Sequence, residues 1–216
     1  MLDAGLFGRP AVQRAFGAAY VSGIPGTPWP AALEPVSAKD GDLGIARLRD
    51  PLPRAWAVPS VERLASDAEV LAAMSERPTF PDSVAFTTDP SGAGLYPGSS
   101  AAAVRWTLDT PDRIRLEVRS SAAAFVVVSD AWFAGWTARV DGAATPIHRV
   151  NHLLRGVALP AGISTLTMEY RPPGWDTGRR LALGGWILWL LLFGVAFFAT
   201  RGAGPGAPIP AVDPSR

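Results

Sequence analysis

The run from Leu181 to Thr200, LALGGWILWLLLFGVAFFAT, holds no charged residue and no proline over twenty residues. A bilayer's hydrocarbon core is ~30 Å thick, and a helix crosses it in about 20 residues. Arg179 and Arg180 close one end of the run and Arg201 the other, while Trp175, Trp186 and Trp189 lie near or within its first half. Aromatic rings favour the headgroup level. A buried core helix is the competing reading, but a chain this size rarely shields so long an apolar stretch. The run is therefore read as a membrane helix that anchors the chain to a lipid bilayer. With no ionisable group inside it, a proton relay or a charged-substrate path within the helix is not expected.

The remaining residues allow one domain or little more. A net charge of +1 gives no electrostatic case for a nucleic-acid partner. Cysteine is absent, which excludes disulfides and thiolate metal sites. The start of the chain has no basic leader, and Arg9 and Arg14 interrupt any apolar stretch, so a secretory signal peptide is not expected. Two arrangements follow: a cytosolic domain held by a C-terminal anchor, or the end of a longer membrane protein.

Ahead of the anchor, Pro10 to Phe16 reads as a short helix and Ala18 to Ser22 as a strand. Gly23 to Asp42 reads as irregular. Gly44 to Leu48 and Ala55 to Val58 predict a hairpin with a wide turn. Ser66 and Glu69 form a capping box ahead of a short helix. Ser83 to Thr87 is a weak strand, and Asp89 to Ala102 reads as a flexible loop. From Ala103 the period-two signal is strong. Val104, Trp106 and Leu108 alternate with polar residues, as do Ile114, Leu116 and Val118. Phe125 to Val128 is continuously apolar, as for a strand covered on both faces. Asp141-Gly142 is a two-residue hairpin signal, with Thr145 to His148 as the return strand. Leu153 to Leu159 and Ile163 to Tyr170 complete the series. The fold class expected is mainly β with short helices: an antiparallel β-sandwich or jelly-roll-like domain followed by one C-terminal transmembrane helix. The expected divisions are a small α+β segment over residues 1–102, the sandwich over 103–173, the membrane helix with its flanks over 174–201, and a disordered tail over 202–216.

Few motifs carry chemistry. His148 and His152 stand four apart, but in extended chain that separation is ~13 Å, too far for one metal. A solvated loop is expected for them, and no metal. Gly92, Gly94 and Gly98 lack the spacing of a dinucleotide loop, so no cofactor is expected. Asp109, Asp112 and Asp141 fall at turns, where short carboxylates bond nearby backbone. The densest cluster is Ser129-Asp-Ala-Trp-Phe-Ala-Gly-Trp136. Asp130, Trp132, Phe133 and Trp136 are the candidate substrate-binding residues, because the rings could stack on sugars. The alternative is a packed strand-to-strand corner, with Asp130 bonding backbone amides.

The segment Ser129–Gly142 resembles a stretch near the C-terminus of the bacterial YfhO-like membrane proteins. In order, so do Phe16–Val21, Leu48–Trp56, Pro146–Asn151, Leu154–Gly162 and Met168–Pro173 with the helix after it. The likeness spans roughly Ala15 to Thr200. Ala134 replaces the family's usual proline, and Trp132-Phe133 its tyrosine pair. The resemblance implies multi-spanning, polyprenyl-phosphate-sugar-dependent glycosyltransferases of the cell envelope. Their catalytic acids lie in a large N-terminal membrane domain that these 216 residues do not include, so no catalytic residue transfers. Implied here is an accessory extracytoplasmic domain and last helix at the cell membrane. Its implied partners are an upstream or separate multi-spanning domain and an envelope glycan or polyprenyl-linked sugar. A single-span binding or scaffolding protein is the reading of another class. The flanking arginines favour a cytosolic N-terminal side, against the placement the resemblance implies, although the charge rule is weak for long domains.

Overall fold

The structure is a computed structural model in which residues 8–23, 28–37 and 44–202 are described. Contacts divide the chain between Arg171 and Pro172 into two compact units.

The first unit is built on a seven-stranded sheet. It combines β4 (Ala55–Val58), β5 (Ser60–Arg63), β6 (Val84–Thr87), β7 (Gly94–Leu95), β10 (Ala124–Ala131), β13 (His148–Val150) and β14 (Leu154–Leu159), in the order β4-β10-β14-β13-β6-β5-β7. A five-stranded antiparallel sheet packs on it: β12 (Ala143–Thr145), β11 (Trp136–Val140), β15 (Gly162–Tyr170), β9 (Arg113–Ser120) and β8 (Ala103–Asp109). A smaller sheet of β1 (Tyr20–Gly23), β3 (Gly44–Leu48) and β2 (Leu33–Ser37) has its own core of Leu33, Ala46 and Leu48. The chain is mainly β, as expected, and the large pair of sheets forms a sandwich. One pairing, β5 with β6, is parallel.

The apolar run in β10 shows why the larger sheet is central. Val126 and Val128 face the second sheet, among Leu116, Leu166 and Met168. Phe125 and Val127 face the other way, into a layer closed by α1 (Pro10–Ala15) and α2 (Asp67–Glu76) through Val12, Val70 and Met74. Consecutive apolar residues are what a strand covered on both faces requires. Burying a side chain as large as Phe125 contributes roughly 1.5–3 kcal/mol. Its ring leans over Gly156, the partner of Val127 on the next strand, where a Cβ would stand 2.4 Å from it. In β9, by contrast, Ile114, Leu116 and Val118 are buried while Arg113, Arg115 and Arg119 stay exposed, so that sheet has one wet face.

Several expectations are corrected. Gly44–Leu48 and Ala55–Val58 are both strands, but they do not pair; β3 lies between β1 and β2, and β4 joins β10. The expected irregular stretch from Gly23 contains strand β2, whose Glu34, Pro35 and Val36 lie exposed and show no alternation to read. Residues 24–27 and 38–42 of that stretch lie outside the described residues, as do residues 203–216 of the expected tail over 202–216, whose first residue, Gly202, is instead the last of the C-terminal helix. The expected flexible loop from Asp89 is two 3-10 turns around β7, secured where the Phe125 N–H donates to Ser99 Oγ at 2.9 Å. Strands from both sides of residue 102 share the central sheet, so no compact unit ends there. The return strand after Asp141-Gly142 is β12, and the chain then crosses to β13 in the other sheet. The capping box forms with one shift: Ser66 Oγ accepts from the Glu69 N–H, while Glu69 reaches the N–H of Ala65.

The second unit holds α3 (Trp175–Gly202). Trp175–Phe198 is long and apolar enough to cross a membrane, and none of that stretch is buried. Along one face of it Trp189, Phe193 and Phe197 stack in succession, 5.5 and 6.4 Å apart between centroids.

Candidate functional site

At one end of the sandwich the sheets part around a hollow of about 580 Å³. Its walls come from the last residues of β8 and β10, the first residues of β9, β11 and β14, and Arg54 just ahead of β4. Strand β15 also ends here, since Trp136 pairs with Tyr170 and Arg113 with Glu169.

A shared carboxylate organises the hollow. Asp130 accepts from Arg54 Nε and Nη2, each at 2.9 Å, and lies 2.8 Å from Arg155 Nη2. Arg54 Nη1 also donates to Asp109 at 2.6 Å. Asp130 sits where β10 slips register: Val128 pairs with Arg155, but Ala131 pairs with Leu154. Such a bulge re-aims a side chain at a sheet end. Arg155 arrives by alternation. Val157 and Leu159 belong to the core between the sheets, so the residue two before Val157 turns inward as well. Its side chain is 3% exposed, and its guanidinium lies 3.8 Å from the Trp136 ring centroid. Arg54 in turn lies over Trp106 at 4.7 Å. These are cation–π geometries.

The two guanidinium groups shift in opposite directions. Arg54 is raised above its ordinary value, chiefly by its hydrogen bond to Asp130. Arg155 is lowered, chiefly by burial; Asp130 opposes the shift and Arg54 adds to it. Arginine stays cationic at neutral pH in either case. Two cations and the carboxylates of Asp130 and Asp109 thus form a nearly neutral network that offers both donors and acceptors.

The aromatic wall is layered. Phe133 is 47% exposed and packs edge-on against Tyr170 at 5.3 Å. Trp136 lies 5.4 Å from Tyr170, and its buried Nε1 has no hydrogen-bond partner. Since Arg155 covers a face of Trp136, that ring is less free to stack than its type suggested. Gly135 has φ +109°, and a Cβ on it would stand 2.5 Å from the Arg171 carbonyl oxygen, so only glycine fits this corner.

Of the residues singled out from sequence, Asp130, Phe133 and Trp136 line the hollow. Trp132 does not; it is 39% exposed, and its N–H bonds the Leu153 carbonyl. Asp130 meets guanidinium groups rather than backbone amides. Asp109 pairs with Arg54, and Asp141 accepts from the N–H of Thr165 on the neighbouring strand rather than from the backbone of its own turn. Arg54 and Arg155 carry no local motif that marks them as site residues. The signal for Arg155 was a charge in phase with Val157 and Leu159 on a core-facing register. His148 is not in a solvated loop: its side chain is 4% exposed, and Nδ1 lies 2.8 Å from Asp89 Oδ2. The described residues contain no group of three side chains able to hold a metal. The arrangement suits hydroxyl-rich ligands: carboxylate and guanidinium edges for hydroxyl groups, and an exposed ring beside them.

No family model, curated protein or solved structure matches this chain.

Proposed function

We propose that this chain is the C-terminal extracytoplasmic domain and last membrane helix of a YfhO-like protein of cell-envelope glycosylation, accessory rather than catalytic. In this reading α3 anchors the domain in the cell membrane. The hollow at Asp130, Phe133 and Trp136 receives a sugar of the acceptor or of a polyprenyl-linked donor. Supporting it are the motifs from Phe16 to Pro173, in the family's order, and one observation above all. The most family-like segment, Ser129–Gly142, supplies the Asp130 carboxylate and the Phe133 ring of an open hollow.

Titration of the full chain in detergent micelles with envelope-type oligosaccharides tests the site. Asp130→Asn and Phe133→Ala are expected to weaken binding at least tenfold, and Trp132→Ala to change it little. Equal affinity in all variants removes the hollow as the sugar site. The DNA upstream of Met1 tests the wider assignment: a frame encoding many apolar spans is expected, and its absence from the neighbourhood sinks the transferase link.

A single-span binding or scaffolding protein is the second reading. It is favoured by the charge flanks, Arg171, Arg179 and Arg180 before the helix against Arg201 behind it. That count puts the β domain in the cytosol. Protease added to intact cells separates the two, since digestion of the β domain requires the outside placement.

A further inference from the structure

We infer that the exposed face of the five-stranded sheet holds a site for a phosphate or sulfate ester group of a soluble ligand, gripped by Arg115 and Arg139 with the Thr167 hydroxyl between them. The site lies wholly within the first unit and shares no residue with the hollow, so it is independent of the sugar reading and of the membrane helix. Register brings the three side chains together. Thr167 of β15 pairs with Arg139 of β11 on one side and with Arg115 of β9 on the other. Residues paired directly across strands share a face of the sheet. Here it is the wet face, since Arg115 and Arg139 are exposed while Ile114, Leu116, Ala138 and Val140 beside them are buried. With strands about 4.8 Å apart, the two arginines leave the sheet roughly 10 Å from each other, with the threonine midway.

Pairing sets these two cations apart from their neighbours. Arg105 and Arg119 both reach Glu117, and Arg113 reaches Glu169. Asp109, at the end of β8, is taken by Arg54, and Asp141, in the turn after β11, accepts from the Thr165 N–H. Among the described residues no carboxylate lies within ion-pair distance of Arg115 or Arg139. Arg139 Nη1 donates to the Gly142 carbonyl at 2.8 Å, which steadies its fork and leaves its other N–H groups for a ligand. The Thr167 hydroxyl also has no partner among the described residues, whereas those of Thr107 and Thr137 donate to strand carbonyls. Two neighbouring cations repel each other, and an anion held between them turns that repulsion into attraction.

The donor set selects the ligand. Guanidinium forks match carboxylate and phosphate alike. One fork already fills the two oxygens of a carboxylate. Two forks and a hydroxyl converging on one point answer the three terminal oxygens of a phosphate or sulfate ester. The rest of the face selects a carrier dissolved in water. Among the large apolar side chains of these five strands only Ile163 is exposed, and no ring is. A surface that seats in lipid sets apolar side chains and rings beside its cations. Single-stranded nucleic acid stacks its bases on rings.

Arginine Nε–H signals, followed by NMR on the isotope-labelled full chain in neutral detergent micelles, read the site directly. Inorganic phosphate and sulfate stand in for the ester group. Under titration with either, the Arg115 and Arg139 signals are expected to shift together with one midpoint, while those of Arg105 and Arg119 stay. Acetate should need roughly fivefold more for the same shift. Thr167→Val should weaken phosphate roughly threefold. Arg115→Gln should abolish the shift at Arg139. Asp130→Asn should leave the midpoint unchanged, which keeps this outcome separate from that of the hollow. Shifts of all the face's arginines at one common midpoint, or equal midpoints for acetate and phosphate, overturn the site. An Arg139 shift that survives Arg115→Gln does so too. In phosphate-free buffer, adding phosphatidylglycerol to phosphatidylcholine nanodiscs should move neither signal; a shift of both would make lipid the occupant and overturn the soluble ligand.

Discussion

The central sheet buries one basic side chain on each face against a carboxylate, and the two burials differ in kind. Arg155, between the sheets, shares Asp130 with Arg54, stacks on Trp136 and borders an open hollow. His148, on the helix-covered side, lies 6.0 Å from the Phe125 ring and is held by Asp89, which also accepts from the Ser91 N–H and hydroxyl. There is no room beside it, since a Cβ on Gly92 would stand 2.8 Å from the imidazole. Both pairs join a strand residue to a distant carboxylate. The difference lies in what surrounds them. Sandwich ends open when the strands of the two sheets part, whereas the middle of a covered face does not. A buried base marks a candidate site only where its partners have capacity left for a ligand.

Variants at the two pairs put numbers on that contrast. Arg155→Ala should be the most damaging, at about 3 kcal/mol in chemical unfolding of the detergent-solubilised chain. It strips a partly buried carboxylate of one partner and uncovers Trp136, although Arg54 remains on Asp130. A cost below about 1 kcal/mol would mean that Arg155 is not held as described. His148→Leu keeps most of the packing and loses the hydrogen bond, at about 1 kcal/mol. The Asp89 pair also predicts a pH dependence. Its carboxyl is lowered from 3.8 to about 2, chiefly by the hydrogen bond with His148 and then by Ser91. The unfolded chain therefore binds the proton first as pH falls. The contribution is complete above about pH 4 and is lost between pH 4 and pH 2. Asp89→Asn should flatten that part of the stability profile, and an unchanged profile would sever Asp89 from it. Phe133→Ala should change stability least, by under about 1 kcal/mol, because the ring is half in water. Its larger effect is expected on sugar affinity, and the reverse pattern would make it a packing residue.

Legibility followed periodicity. Strands β8, β9 and β15 alternate over long registers with one wet face, and their sequence announces them. Strand β10 was readable as covered on both faces. The short strands β2 and β5 were not readable, because four or five residues without a clean alternation look like loop. At the site, the aromatic cluster was visible as composition, and Asp130, Phe133 and Trp136 do meet at one hollow. Trp132, adjacent in sequence, was indistinguishable from them until the chain's direction at the corner placed it off the wall.

By itself the sequence determined the long apolar helix, the mainly β character and the aromatic corner, since each depends on neighbours a few residues apart. Tertiary structure alone decided that β3 and β4 part company, that a loop rich in Gly and Ser packs beneath Phe125, and that Arg54 and Arg155 converge on Asp130. Arg54 lies 76 residues from Asp130. No local pattern encodes such a meeting. It arises when two covered faces of one sheet set the register of every strand, and the charges at the strand ends are carried to an end where the sheets part.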